Sequence, residues 1–236
     1  MCLPLAVPSP RFELGRQGSI IDPAKDVVRG ANRHLMGLDT GLAVLDPQGR
    51  GVGLCAIDHP LVSLETPGCW KYSLDFVPKK AAVYVNLFNN QWTTNFRLWN
   101  EGTWTSRVRV WPIERDEPAE SLITPSLEAR CPLQAAWADG PAGRLPALQS
   151  GLEVSLHGMA VTAFGANPDG PGTVLRLWEL AGRSGDCVVR LPAGMSARTV
   201  QPVDLRGRPA GQALELKDGV FTVPVQAFAP ASFSIE

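Results

Sequence analysis

YVNLFNNQWTTNFRLWNEGTWTSRVRVW, residues Tyr84 to Trp111, is the stretch on which the reading of the fold depends. It opens as a strand: Val83, Val85 and Leu87 point one way, and Tyr84, Asn86 and Phe88 the other. It closes as another, with Arg107, Arg109 and Trp111 on one face and Val108 and Val110 on the opposite one. The middle, Asn89 to Thr105, fits neither a strand nor a helix period. Four of the seven tryptophans (Trp92, Trp99, Trp104, Trp111) and five asparagines (Asn86, Asn89, Asn90, Asn95, Asn100) fall in this stretch. Amides offer donors and acceptors that match hydroxyl groups, and flat aromatic faces cover apolar ring faces. A polar, aromatic loop between two strands therefore suits a hydroxylated ligand. The same residues also fill corners of large β-sandwiches, where amides satisfy loop backbone groups, and that structural reading stands beside the first.

Outward from this stretch, glycine and proline number 23 and 21 in a chain of 236 residues and recur every several positions. Long helices are hard to place. The best helical segment is Pro23 to His34, with Asp22 as its cap and one or two turns at most. The remainder reads as short strands between turn signals. In the first half these are Gly41–Leu45, Gly51–Ile57, Leu61–Leu64, Trp70–Phe76, Val83–Phe88 and Arg107–Trp111, then an irregular 122–132 leading into a strand over 133–137. Asp46-Pro47-Gln48-Gly49 predicts the first hairpin turn. Ala138 to Ser150, rich in Ala, Gly and Pro, reads as a connection. Beyond it a second set of strands runs through Leu152–Leu156, Met159–Ala166, Thr173–Glu179, Asp186–Leu191, Ser196–Val203, Ala213–Lys217, Val220–Pro224 and Ala231–Ile235. Asp218-Gly219 predicts a tight hairpin, and Val174 to Trp178 reads as a strand buried on both faces.

Composition excludes several classes. Hydrophobic residues make up 44% of the chain, enough for a substantial core; the net charge is −1 and the pI about 6.3. No basic run interleaves with aromatics, which argues against a nucleic-acid partner, and no apolar run is long enough to span a membrane. The five cysteines (Cys2, Cys55, Cys69, Cys131, Cys187) are odd in number and widely spread, as expected of free thiols in a reducing, cytoplasmic setting. The N-terminal MCLPLAVPSPRF lacks the pattern of a secretory signal. None of the three histidines (His34, His59, His157) has metal-ligand spacing, and Asp58-His59-Pro60 reads as a turn. Acyl-transfer and nucleotide-binding motifs are missing, and Gly49-Arg50-Gly51-Val52-Gly53 leads into a strand and not a helix. Glycoside hydrolysis needs paired carboxylates. Near the aromatic stretch the candidates are Asp75 and Glu101, with Asp58 and Glu65 further off. Glu101 is the best single carboxylate to meet a sugar, with a solvated loop acid as the plain alternative.

The run Asn86 to Phe96, with Trp99 and Glu101-Gly102 after it, resembles the C-terminal β region of family 38 glycoside hydrolases, the α-mannosidases, in a bacterial branch. Asp58 to Val62, residues 122–132, and Val174 to Glu179 followed by Gly182 and Gly185 support the likeness. The resemblance implies an all-β chain: a large β-sandwich of the supersandwich, galactose-mutarotase-like kind over residues 1–147, then a smaller β-sandwich over 148–236. It also implies an α/β catalytic domain elsewhere, performing retaining hydrolysis of α-mannosides with a zinc ion and an aspartate nucleophile. This chain has no His-x-Asp pair to match that centre, so zinc is expected only in the catalytic domain and no cofactor here. The implied role is non-catalytic: to support the catalytic domain, of the same or a partner chain, and to contact a mannoside-like carbohydrate. The residues expected to do so are Asn89, Asn90, Gln91, Trp92, Asn95, Trp99, Glu101 and Trp104. Two other readings remain open: a free-standing carbohydrate-binding module, which needs exposed tryptophans, and a metal-independent epimerase, which needs a histidine facing Glu101.

Overall fold

The computed structural model describes residues 1–68, 75–88, 99–137, 139–141, 143–144, 146–168 and 170–236. Its strands form four antiparallel sheets among these residues, so the all-β sandwich expectation is met. The chain divides into two compact units, Met1–Cys131 and Pro132–Glu236.

In the first unit, β1 (Cys2–Pro4), β2 (Arg11–Arg16), β3 (Ser19–Ile21), β4 (Met36–Gly37), β5 (Leu42–Leu45), β6 (Gly51–Ala56), β7 (Leu61–Leu64), β8 (Ala82–Val85) and β9 (Val108–Ile113) build two layers. One sheet runs β3-β2-β5-β6-β9 and the other β1-β8-β7-β4. The β5–β6 hairpin forms where it is predicted. Asp46 accepts the Gly49 amide on its carbonyl at 3.0 Å and those of Gln48 and Arg50 on its carboxylate, both at 2.9 Å. Gly49 takes the positive φ of 78° that this turn requires.

Side-chain alternation then sorts the faces. Phe12, Leu14, Leu42, Val44, Leu54 and Ala56 point inward against Val62, Leu64, Val83 and Val85 of the facing sheet. The alternation read over Val83 to Phe88 holds: Val83 and Val85 are buried and Leu87 packs on the same core. Val108 of β9 joins it, while Trp111 turns to the opposite face beside Ala43, Leu45 and Ile113.

That opposite face is covered by a helix the sequence reading did not place. Residues Ala119–Ile123 form a π-helical turn that runs into α1, Thr124–Arg130. Pro125 sits in the first turn of α1, where its missing N–H costs nothing. Ala119, Leu122, Ile123 and Ala129 are buried, and the Trp111 indole N–H donates to the Ser121 carbonyl at 2.9 Å. Gly53 makes room for Trp111: a Cβ there would lie 2.2 Å from the indole. Arg130 closes the contact by donating to the Thr40 carbonyl at 2.8 and 3.1 Å and to that of Ile57 at 3.3 Å. The helix expected over Pro23 to His34 reduces to one turn. Asp22 takes the Ala24 amide on its side chain and the Lys25 and Asp26 amides on its carbonyl, and Gly30 follows at φ 94°. Residues 133–137 are exposed and form no strand.

The second unit contains β10 (Glu153–Val154), β11 (Met159–Ala166), β12 (Thr173–Glu179), β13 (Gly185–Arg190), β14 (Val200–Pro202), β15 (Val220–Val225) and β16 (Pro230–Ile235). Sheets β10-β13-β15 and β11-β12-β16-β14 enclose a core of Leu175, Leu177, Val189, Val223 and Ile235. Phe221 and Phe233 meet edge to face there at 5.7 Å. The Asp218-Gly219 turn is the predicted tight hairpin, with φ of 51° and 74° and two Lys217–Val220 bonds of 2.9 Å. β12 corrects the expectation of burial on both faces. Leu175, Leu177 and Glu179 are buried, whereas Val174, Arg176 and Trp178 are only partly covered, because the sandwich supplies one packing layer. Buried Glu179 accepts the amides of Ala181 (2.8 Å), Gly182 and Phe228 (both 2.9 Å), tying the strand end to two loops. Over 213–217 two isolated bridges, Leu214 to Val200 and Lys217 to Val220, replace the expected strand.

Candidate functional site

The bend between β6 and β7 and the chain entering β9 come together in the first unit. Ile57 donates its amide to the Arg107 carbonyl at 3.0 Å. Asp58 then receives three bonds from Arg107: the backbone amide at 2.7 Å, Nε at 3.1 Å and Nη2 at 2.7 Å. Donation by Arg107 lowers the Asp58 carboxyl from the ordinary 3.8 to about 2, and Asp58 in turn raises the guanidinium. Arg107 is therefore committed to Asp58. Next to this pair, His59 Nδ1 lies 3.1 Å from Ser106 Oγ.

These contacts place His59 in the wall of a pocket of about 130 Å³, lined also by Leu87, Phe88, Asn100, Gly102, Trp104 and Ser106. Trp104 and Phe88 meet at 6.2 Å between ring centroids, tilted by 54°. The outer ring of the Trp104 indole lies over Gly102, whose φ of 137° and lack of a Cβ permit the approach; a Cβ would stand 2.6 Å from it. Both aromatics remain open to solvent, Phe88 at 64% and Trp104 at 46% of full exposure.

Of the residues singled out from sequence, Asn89, Asn90, Gln91, Trp92 and Asn95 lie outside the described residues. Trp99 is 68% exposed and Glu101 is exposed. Trp104 lines the pocket together with Asn100 and Gly102, one position either side of Glu101. Sequence reasoning missed His59, Phe88 and Ser106 as partners of Trp104. Asp58-His59-Pro60 is the available signal; in the sequence it reads as a turn and as part of the family likeness, not as a partner of Trp104. Asp75 pairs with Arg29 at 3.1 Å, and Glu65 accepts the Lys79 amide at 2.6 Å.

The remaining histidines stand apart from this pocket's lining. His34 is buried and stacked on Phe76 at 4.2 Å, and His157 belongs to the second unit. Among the described residues no three His, Cys, Asp or Glu side chains converge. Also among them, no helix is long and apolar enough to cross a membrane. Cys2, Cys55, Cys131 and Cys187 are free thiols. A larger cavity, about 750 Å³, lies in the second unit against Leu148, Arg190, Met195 and Asp218. Its lining is mostly aliphatic and glycine, with no aromatic wall among the described residues, so the hydroxyl-binding reading does not extend to it.

No protein-family model matches the sequence, and no curated protein matches it. Solved structures are similar in fold. An α-mannosidase from Enterococcus faecalis V583 superposes with a TM-score of 0.68 at 15% identity, over 100% of this chain and 25% of that one. A protein in glycosyl hydrolase family 38 from Enterococcus faecalis gives a TM-score of 0.63 at 14% identity, over 100% of this chain and 26% of that one. The chain thus spans about a quarter of the length of these structures, and what it shares with them is the fold.

Proposed function

We propose that this chain is a non-catalytic β-sandwich region of an α-mannosidase-like glycoside hydrolase, and that it contacts a neutral sugar through the Trp99–Trp104 segment. The observation that carries the reading is the fold shared over the whole chain with part of a family 38 α-mannosidase. The solvent-open Trp99 and Trp104 beside an amide-bearing segment support the sugar contact. In this reading Asn89, Asn90, Gln91, Trp92, Asn95 and Glu101 also contact the sugar, and the partner is a catalytic domain that carries the zinc.

The exposure of both tryptophans also favours a second reading, a free-standing carbohydrate-binding module, since such a module needs an accessible aromatic platform. One experiment separates the two. Mannose and short α-mannosides are titrated into the purified chain by NMR, and α-mannoside hydrolysis is assayed on the same sample. Binding without turnover is expected of both readings. Adding a family 38 catalytic half then distinguishes them: with the first, Trp92→Ala or Trp104→Ala lowers kcat/KM; with the second, hydrolysis is indifferent to either change. Turnover by the chain alone, surviving chelation, would overturn the non-catalytic reading.

A further inference from the structure

Resting on the sugar reading above, we propose that His59 is the polar group with which the Trp104 pocket selects its ligand, and that the ligand is a single neutral pyranose ring. Size sets the first limit. The pocket of about 130 Å³ is well below the roughly 300–1,000 Å³ of sites that enclose a drug-sized molecule, so it admits one ring and leaves the rest of a glycoside in solvent. Charge sets the second. The described lining holds no Lys, Arg, Asp or Glu, and the nearest charged pair, Asp58 and Arg107, is spent on itself in a bidentate bond. A carboxylate on the ligand would lose water there with no Lys or Arg of the described lining to pair with it.

The geometry assigns the two walls different tasks. Trp104, resting on Gly102 and tilted against Phe88, offers the apolar surface. His59 offers the directional contact. Its ring is held through Nδ1 by Ser106, and its backbone neighbours are held by Arg107, so little side-chain freedom is lost on binding. Nδ1 is engaged, and among the described residues Nε2 has no partner, which leaves it for a ligand. If Nδ1–H donates to Ser106, Nε2 accepts; if Nδ1 accepts from the Ser106 hydroxyl, Nε2–H donates. A sugar hydroxyl serves either case. Asn100, also in the lining, adds an amide with both capacities.

The test is a titration of the full chain with methyl α-mannopyranoside, read by tryptophan fluorescence and ligand-observed NMR. His59→Ala, His59→Gln and Trp104→Ala are compared with the native chain, and each variant is checked for a folded amide spectrum. His59→Ala is expected to weaken binding about five-fold, the loss of one hydrogen bond, with His59→Gln recovering part of it. Trp104→Ala is expected to weaken it further, and a glucuronide to bind at least about ten-fold more weakly than the neutral glycoside. A folded His59→Ala, or His59→Gln should the alanine variant not fold, with native affinity while Trp104→Ala abolishes binding overturns the role of His59 and leaves the sugar reading standing. Equal affinity for the glucuronide overturns the neutral-ring assignment. A native chain that binds neither methyl mannosides nor methyl glucosides overturns both.

Discussion

Asp58 and Arg107 show how a surface pair can matter through position and not through energy. Arg107 is largely exposed, so water screens the pair and its share of stability is small. Its consequence is geometric, because it fixes the bend that carries His59. The titration of Asp58 reports whether the pair persists in solution. Its folded pKa is depressed, so its contribution is fully present above the ordinary 3.8 and is lost as pH falls through about 2. The carboxyl carbon of Asp58 is expected to titrate by NMR with a midpoint near 2. A midpoint near 4 would mean that the staple is open and that His59 is not held. In Asp58→Asn, the fall in stability between those pH values should shrink relative to the native chain.

At the scale of elements, the helix over residues 119–130 is the piece that makes the outer face of the larger sheet a second interior. Arg130 at its C-terminal end reaches carbonyls of Thr40 and Ile57 that the sheet leaves without a ladder partner on that side. Replacing Arg130 by Ala strips a charged donor from them and is expected to lower stability by about 2 kcal/mol. Arg130→Lys, which supplies a point charge without the planar fork, should recover only part of it. Denaturant midpoints at constant m-value measure both. A midpoint that does not move in Arg130→Ala would show that apolar packing of Leu122 and Ile123 alone seats the helix.

For the whole molecule, the two units each own a core. Phe12, Leu14, Val44 and Val83 belong to the first; Leu175, Val189, Phe221 and Phe233 to the second. Residues 132–236 expressed alone are therefore expected to fold, giving a dispersed amide spectrum with methyl signals shifted by the Phe221–Phe233 edge contact. A collapsed spectrum would show that the smaller sandwich depends on its neighbour for stability.

Local chemistry determined what was legible in the sequence. Period-two alternation and turn residues act over a few positions, so the β5–β6 hairpin, the Asp218-Gly219 turn and the inward set Val83, Val85 and Leu87 could be read directly. The aromatic and amide content of 84–111 marked Trp104 before its surroundings were known. Tertiary structure decided the rest. Residues 119–130 become helical because a sheet face with Trp111, Ala43 and Leu45 is there to receive Leu122 and Ile123, and burial outweighs a weak local preference. β12 is one-sided because only one layer packs on it. His59 and Ser106 stand 47 residues apart, and Asp58 and Arg107 49, so no window of sequence shows that they meet. Side-chain identity is a local property, whereas which side chains share a pocket follows from strand pairing across long loops, and that is set only when the sheets close.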